Sequence, residues 1–419
     1  MVPGASRAAD ELPLLSIKLG KKVEFIPHLE YRPRFIGHSG KDFKAGPGYH
    51  AVTHRARLGL EAKLFEWASV MIQAQDVRTW GEELDPQGDY KSDGFDMHQA
   101  WAELRCPLGL ALRIGRQEIV LDNERLVGAG NWTDQGRALN AINFTAEHKG
   151  LTTKLFWARI GEKDVYQADD KGNAVRGTPG DIDLGAVWLR YGKLKAVRPS
   201  IMLIYDRNGS LPRNRFTLGA YLEGEPAAGL FYSGEFFYQT GWQDQGAAQK
   251  TIAAFMGAVK LGYTLPVKLA PMIQGWFEYL SGDDDAKDDK LKTFDTLYGT
   301  NHKFYGYMDF FLNLPKDTAN MGLMDLGGRL QVSPAKGFTV WADFHYFWMG
   351  KKLSTPAGGV IQLGPEVDLV VNYRYNKLLG AQAGFGVMVP TRGMTCIRGG
   401  CRDDRSTETF GYVMGDVTF

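Results

Sequence analysis

The chain has 419 residues, of which 44% are hydrophobic, 12% aromatic and 23% charged, and its formal net charge is +1. This balance excludes a global field that would attract nucleic acid, and no run of 18 apolar residues could form a transmembrane helix. The opening residues, "MVPGASRAAD", have neither the basic nor the apolar region of a signal peptide. We therefore interpret the chain as mature, with its export signal removed and residues 1–20 as an N-terminal extension.

From residue 23 to the C-terminus, segments of about ten residues alternate between apolar and polar side chains, and helical periodicity is almost absent. This alternation predicts β-strands that have one apolar face. A soluble sandwich would alternate in the same way, so the pattern alone does not decide the class. Clear examples, in chain order, are residues 110–115, 267–279, 321–332, 338–348 and 366–374.

The connections between the predicted strands alternate between short and long along the whole chain. Outer-membrane barrels sort their connections in this way, with short periplasmic turns and longer extracellular loops. Eight short and nine long connections predict a single 18-stranded antiparallel transmembrane β-barrel over residues 21–419. The short ones are predicted near 65–66, 107–109, 149–150, 192–196, 224–229, 264–266, 334–337 and 376–379. The long ones are predicted near 37–51, 80–95, 119–136, 161–181, 207–214, 240–249, 281–321, 349–364 and 390–408.

One segment does not fit this count. Residues 302–313, "HKFYGYMDFFLN", could form a nineteenth strand, which would break the alternation of connections. We therefore assign the segment to the long 281–321 connection, folded at or into the barrel mouth. A smooth barrel of this size would be too wide to discriminate between solutes, so 119–136 and 281–321 are the expected constricting loops.

Backbone groups in lipid must all be paired, so the sheet must close, with apolar side chains facing lipid and their neighbours facing a water-filled lumen. The lumen-facing cations would set selectivity and favour anions, because guanidinium groups suit carboxylates. The alternative is that these charges only solvate the lumen and pair with one another. Alternation assigns the following residues to the inner face: Arg57, Lys63, Arg105, Arg113, Arg137, Arg190, Arg329, Arg374 and His345, with the carboxylates Glu61, Glu103, Glu235, Glu278, Asp343, Glu366 and Asp368.

Two arginines are not assigned in this way. Arg116 shares its face with Ile114, so either the strand has left the membrane there or Gly115 permits a bulge that turns the side chain inward. Arg159 lies in "LTTKLFWARI", which has apolar residues on both faces.

Cys396 and Cys401 bracket "CIRGGC", where two glycines would allow a local disulfide; the alternative is two unpaired loop thiols. Asp283 and Asp285 are weak calcium candidates, because "SGDDDAKDDK" lacks the EF-hand spacing and favours a solvated loop. No cofactor motif appears. His345 and Asp343 have no positioned nucleophile, so an enzyme is not expected.

Three segments resemble the alginate-export family of bacterial outer-membrane channels: 112–142, "LRIGRQEIVLDNERLVGAGNWTDQGRALNAI", 281–311 and 364–379. The final strand, which ends at Phe419, resembles the assembly signal of such barrels. The family resemblance implies a monomeric 18-stranded barrel with an electropositive constriction. The residues that it implies to line the pore are Arg113, Arg116, Arg125, Arg137 and Arg374.

These observations favour a passive channel in the bacterial outer membrane that passes hydrated, preferentially anionic solutes or anionic polysaccharide. Outer-membrane lipid and lipopolysaccharide are the expected surroundings, and nucleic acid is not an expected partner. Three alternatives remain open. They are a dedicated exporter of an alginate-like exopolysaccharide that works with periplasmic partners, a barrel hydrolase, and a surface receptor.

Overall fold

The computed structural model describes residues 15–20, 22–40, 43–44, 46, 48–81, 94–162, 166–168, 174–176, 180–246, 248–285, 287–355, 358–398 and 400–419. Eighteen antiparallel strands form one closed barrel. They are β1 (Val23–Ser39), β2 (Tyr49–Leu64), β3 (Ala68–Thr79), β4 (Phe95–Cys106), β5 (Leu110–Gln117), β6 (Leu139–His148), β7 (Leu151–Gly161), β8 (Ile182–Tyr191), β9 (Arg198–Asn208), β10 (Arg213–Ala227), β11 (Leu230–Gln245), β12 (Ala248–Thr264), β13 (Met272–Leu280), β14 (Leu323–Val332), β15 (Phe338–Thr355), β16 (Gly358–Arg374), β17 (Leu379–Met388) and β18 (Glu408–Thr418).

The barrel closes between its first and last strands. β1 pairs antiparallel with β18 from Glu30 opposite Thr418 to Ser39 opposite Thr409. The terminal residue joins this seam, because the amide of Phe419 donates to the carbonyl of Leu29 at 3.0 Å, and the amide of Leu29 donates to the carbonyl of Phe419 at 2.9 Å. Closure leaves no sheet edge, which satisfies the backbone in lipid. The predicted fold and strand count are therefore confirmed.

The smaller elements lie outside the barrel count. A short strand, Ile17–Leu19, pairs with the start of β1 and occupies part of the predicted extension at 1–20, of which residues 1–14 lie outside the described residues. A two-stranded hairpin joins Tyr166–Ala168 to Ala174–Arg176, and Lys290–Leu291 pairs with β12. One α-helix, α1 (Arg392–Arg398), is present in the described chain, together with two short 3-10 helices at Asn301–Lys303 and Lys316–Thr318. Among the described residues, no helix has the length and hydropathy that a membrane crossing would need.

The connections are sorted between the two barrel ends, but several predicted bounds were wrong. β11 and β12 stay paired to Gln245 opposite Ala248, so the predicted 240–249 link is far shorter. β15 and β16 likewise stay paired to Thr355 opposite Gly358. The predicted strand at 267–279 begins only at Met272, because Leu269 and Ala270 have φ values of 77° and 39°, which a strand does not allow.

Alternating side chains face opposite sides of the wall, as the pattern predicts. On β2, Arg57 is 5% exposed and faces inward, whereas Leu58 is 67% exposed and faces outward. Arg190 and Arg329 also face inward, since each contacts other inward residues of the wall. Apolar side chains therefore cover the outer surface.

Two long connections fold into the barrel. We name residues 118–138 the first inner segment and residues 281–322 the second inner segment. Their backbones pair with each other, since the amide of Gly128 donates to the carbonyl of Tyr298 at 3.0 Å and the amide of Tyr298 to that of Leu126 at 2.9 Å. Both segments contribute to one apolar core that also contains wall residues of β6–β9 and β11–β18. Residues 302–313 form no barrel strand; they belong to the second inner segment and bury Tyr305 and Phe311 in this core.

Candidate functional site

Four arginines on β1 and β2 face the first inner segment, and we name Arg32, Arg34, Arg55 and Arg57 the arginine wall. They donate to consecutive carbonyl oxygens of that segment. Arg32 Nη1 lies 2.6 Å from the oxygen of Asn131 and Arg34 Nη1 lies 2.9 Å from that of Trp132. Arg55 Nη1 lies 3.1 Å from the oxygen of Thr133, and Arg57 Nη2 lies 3.1 Å from that of Gln135. The wall thus fixes an irregular stretch of backbone inside the barrel.

The arginine wall holds together because carboxylates separate its like charges. Arg32 lies directly opposite Arg55 across β1 and β2. Glu30 accepts from Arg55 Nε at 2.9 Å, and Asp134 contacts both Arg32 at 3.0 Å and Arg34 at 2.8 Å. Burial alone would raise the pKa of Asp134, but Arg34 and Arg32 outweigh burial and hold that pKa below 3.8.

Trp132 connects the arginine wall to the second inner segment. Its ring stacks on His302 with centroids 3.8 Å apart, and the guanidinium of Arg34 lies 4.8 Å from the ring centroid. The indole Nε1 donates to Asp309 Oδ2 at 2.8 Å. The two inner segments therefore meet at an aromatic contact that fixes one against the other.

Arg125 anchors the first inner segment to the wall. Its side chain is 3% exposed, and both Nη atoms lie 2.8 Å from the carboxylate oxygens of Glu278. Nε donates to Glu235 at 2.9 Å, and Nη1 donates to the hydroxyl of Tyr305 at 3.0 Å. Burial alone would lower the pKa of Arg125, but Glu235 and Glu278 raise it above its ordinary value.

The second inner segment is anchored through two fully buried carboxyl groups on β16. The amide of Met308 donates to Glu366 Oε1 at 3.0 Å, and the amide of Tyr307 donates to Asp368 Oδ2 at 3.3 Å. Gly306 lies against Glu366 so closely that a Cβ there would be 2.2 Å from Oε1, and its φ is 82°. The positive φ favours glycine at this position.

Charged groups remain accessible at the short-turn end of β4 and β5. Glu103 accepts from Arg105 Nε at 2.6 Å and from Arg113 Nε at 2.7 Å. The side chains of Arg105 and Arg113 are 51% and 27% exposed, and the Arg113 guanidinium lies 3.9 Å from the Trp101 ring. Lys63 lies opposite Glu24 of β1 and Ser69 of β3, and it faces the same side of the barrel wall as Glu103.

The other basic residues predicted to face inward from the barrel strands each contact a carboxylate. Arg190 contacts Asp122 at 3.1 Å. Arg329 forms a bidentate ion pair with Asp343, in which Nε and Nη2 each lie 2.6 Å from a carboxylate oxygen. His345 contacts Asp325 at 2.9 Å. Arg374 contacts Asp416 at 2.5 Å near the short-turn end and is 46% exposed.

Three residues predicted to line the pore are placed differently. Arg116 stays on the outer face with Ile114, because β5 and β6 pair without a bulge there, and it contacts Asp96 at 3.2 Å. Arg125 and Arg137 lie on the first inner segment rather than on a strand. Arg125 is enclosed by its carboxylates, and Arg137 donates to backbone carbonyls that include that of Gly128 at 3.1 Å.

Three of the four arginines of the wall were not predicted from the sequence: Arg32, Arg34 and Arg55. Their signal was present, since "EYRPRF" and "THRARL" alternate arginine with residues that face lipid. Tyr31 and Phe35, their neighbours on β1, are exposed on the outer surface.

Cys396 and Cys401 are joined in a disulfide, although Cys396 lies in α1 rather than in a loop. The carboxylates of Asp283 and Asp285 accept backbone amides, those of Asp285 at 3.1 Å and Lys287 at 3.0 Å. In the described part of the chain, no group of three or more His, Cys, Asp or Glu residues could hold a metal ion.

A closed barrel with an apolar outer surface, a charged inner wall and inward-folded connections defines a porin-like outer-membrane barrel. Similar solved structures support this class. OccAB4 of Acinetobacter baumannii has a TM-score of 0.62 at 10% identity, with 95% of this chain and 98% of that chain covered. OccK3 (OpdO) of Pseudomonas aeruginosa has a TM-score of 0.59 at 14% identity, with 94% and 95% covered.

Residues 28–390 match the family described as alginate export, and the chain belongs to that family. The protein is accordingly a transport channel of the bacterial outer membrane and not an enzyme. No curated protein matches the chain.

Proposed function

We propose that this channel passes hydrated, preferentially anionic solutes along the side of the lumen formed by β1–β6. The apolar core of the two inner segments packs mainly on β6–β18. The inner faces of β1–β5 instead carry the arginine wall, Lys63, Arg105 and Arg113. A solute in the lumen therefore meets a polar surface on the side of β1–β5, whereas the apolar core fills the side of β6–β18.

The partly exposed cations Arg105 and Arg113 are the observation that carries this proposal. The arginines of the wall itself are buried against the first inner segment. Guanidinium groups that face a water-filled path raise the local concentration of anions and slow cations. Carboxylates lie between them, and the exposed groups below the wall remain solvated, so each contact with a solute is weak enough for release. Arg113 is the test residue, because it is partly exposed and lies outside the contacts that hold the inner segments.

Single-channel recording in planar bilayers tests the selectivity. In a potassium chloride gradient, we expect an anion-biased reversal potential that moves toward cations in Arg113→Gln. Arg207→Gln is the matched control, because it removes the same charge from the outer face. A wild-type channel that prefers cations, or an equal shift in both variants, would contradict the proposal.

The family description favours a second candidate, a dedicated exporter of an anionic polysaccharide that works with periplasmic partners. Uronate oligomers distinguish the two functions. Block of the current at low concentration by uronate oligomers, and not by neutral oligosaccharides of equal length, would favour the exporter. Equal, weak effects of both would favour a channel for small anions.

A further inference from the structure

The outer face of β5–β10 carries a row of polar residues that the pore does not use. Arg116 lies directly opposite Asn140, and the register continues from strand to strand through the row. The six members, each opposite the next, are Arg116, Asn140, Arg159, Asp183, Arg207 and Asn214. We name them the outer polar row. Arg159, which alternation did not assign to a side, thus faces outward.

The outer surface below this row is apolar. The next row toward the short turns contains Ile114, Ile142, Trp157, Gly185, Tyr205 and Phe216, and the one after it contains Leu112, Phe144, Leu155, Val187, Leu203 and Leu218. Leu155 and Leu218 are among the most exposed of these side chains. The outer polar row is therefore the upper border of a lipid-facing band.

The distance of the outer polar row from the short turns agrees with its place at the upper border of the lipid-facing band. Arg116 is nine residues from the turn that begins at Pro107. Nine residues span about 30 Å of strand at roughly 3.3 Å each, or about 23 Å along the membrane normal at the usual barrel tilt. An outer-membrane barrel has an apolar band of about 25 Å. Since the row lies at the long-connection end, it lies at the headgroups of the outer leaflet.

The row carries three arginines and one aspartate, and its arginines are about one-third exposed, at 33%, 30% and 39% for Arg116, Arg159 and Arg207. Arg159 is held by Asp181 at 2.5 Å and Asp183 at 2.8 Å. Arg116 contacts one carboxylate, that of Asp96, through Nη2 at 3.2 Å. Arg207 reaches Asp183 only at 3.4 Å. Arg116 and Arg207 therefore keep donors for a ligand.

The row does not continue around the whole circumference. On β2 and β3, His54, Asp76 and Arg78 also face outward near the long connections. On β17, β18 and β1, the outward residues include Val387, Val413 and Phe35, which carry no charge. A general girdle would surround the barrel. A local row of arginines over a wide apolar band instead matches one amphipathic molecule, with phosphates above and acyl chains below.

We propose that the outer polar row binds a phosphorylated glycolipid of the outer leaflet, lipopolysaccharide, through its phosphate groups. Guanidinium groups bind phosphate through paired charge-assisted hydrogen bonds. Neighbouring arginines of the row are two strands apart, about 10 Å, which suits a headgroup that carries more than one phosphate. The acyl chains lie along the apolar rows, and Trp157 and Tyr205 lie directly below the arginines. The acidic segment at 283–289 has no part in this site.

The test measures lipid binding to the purified full chain by native mass spectrometry. The probes are phosphorylated lipid A, the same lipid A after removal of its phosphates, and phosphatidylglycerol. We expect tightest binding of phosphorylated lipid A, and binding about tenfold weaker in Arg116→Gln/Arg207→Gln. The control, Lys195→Gln/Lys268→Gln, removes the same charge at the short-turn end and leaves binding unchanged. Arg207→Lys, which keeps the charge but loses the planar group, gives an intermediate loss.

Several outcomes would overturn the proposal. Equal binding of the two forms of lipid A would exclude the phosphates as the recognised groups. Phosphatidylglycerol binding as tightly as lipid A would indicate a general layer of anionic lipid, and equal losses in both double variants would indicate an effect of net charge alone. If the first double variant does not fold, Arg207→Gln alone serves, with Lys195→Gln as its control.

Discussion

Arg125 lies where the first inner segment, the second inner segment and two barrel strands meet. Its guanidinium contacts Glu235, Glu278 and Tyr305, and the Phe304 ring lies 3.5 Å from it. A cation in this position is surrounded by acceptors and withdrawn from water. Its removal leaves two buried carboxylates in one place without a counter-charge.

We therefore expect Arg125→Met to lower the free energy of unfolding by about 3–5 kcal/mol, the cost of breaking a buried ion pair. Urea unfolding in lipid vesicles, followed by tryptophan fluorescence, measures this loss. Arg374→Met is the control, because its single ion pair is half exposed and contributes about 1 kcal/mol or less. Equal losses in the two variants would mean that Arg125 is not an anchor.

The ion pairs of Asp134 predict how the conductance of the channel changes at low pH. Its pKa is lowered in the folded chain, so its ion pairs with Arg32 and Arg34 stabilise the first inner segment above pH 3.8 and are lost as the pH falls below that value. Single-channel conductance recorded from pH 6 to pH 3 should rise as the segment is released. Asp134→Asn should remove this step, and a step of the same size in that variant would refute the assignment.

At the scale of the element, α1 and its disulfide form a small cap over the second inner segment. Met394 and Thr395 are fully buried, and the Arg398 guanidinium lies 5.6 Å from the Phe310 ring. The disulfide closes a chain of only five residues' separation. Its constraint therefore acts on the cap and not on the closed barrel.

Replacement of both Cys396 and Cys401 by serine should cost the cap about 2 kcal/mol. Amide hydrogen exchange in residues 392–398 should then become about 30-fold faster, while urea unfolding of the barrel stays unchanged. A lower free energy of unfolding of the whole barrel, with unchanged hydrogen exchange in residues 392–398, would contradict this prediction.

The barrel strands show what the alternation of apolar and polar residues is sufficient to predict. Alternation predicted the barrel strands and their number, because side-chain direction in a strand depends only on position. It predicted the lengths of connections less well. The link at 240–249 is polar, yet β11 and β12 continue through it, since strands that extend beyond the membrane need no apolar face.

At the scale of the whole molecule, the alternation divides lipid from water across a single layer of sheet. Leu218 is 59% exposed in the middle of the outer apolar band. Leu218→Arg should therefore lower the free energy of unfolding in vesicles by about 2–4 kcal/mol, the cost of an arginine near mid-depth. Asn372→Arg, which is half-buried and faces the lumen, should cost much less. Equal costs would contradict the assigned faces.

The barrel, its closure, its strand count and the inward direction of four arginines could be predicted from the residues alone: Arg57, Arg113, Arg190 and Arg329. These properties follow from local alternation and from the requirement that lipid imposes on every backbone group. The tertiary structure decided which inward charges remain accessible. Arg125 meets Glu235 and Glu278 from 110 and 153 residues away, and the arginine wall meets carbonyls 78 to 99 residues further along the chain. Such contacts depend on how two long connections fold inside the barrel, and strand periodicity carries no information about them.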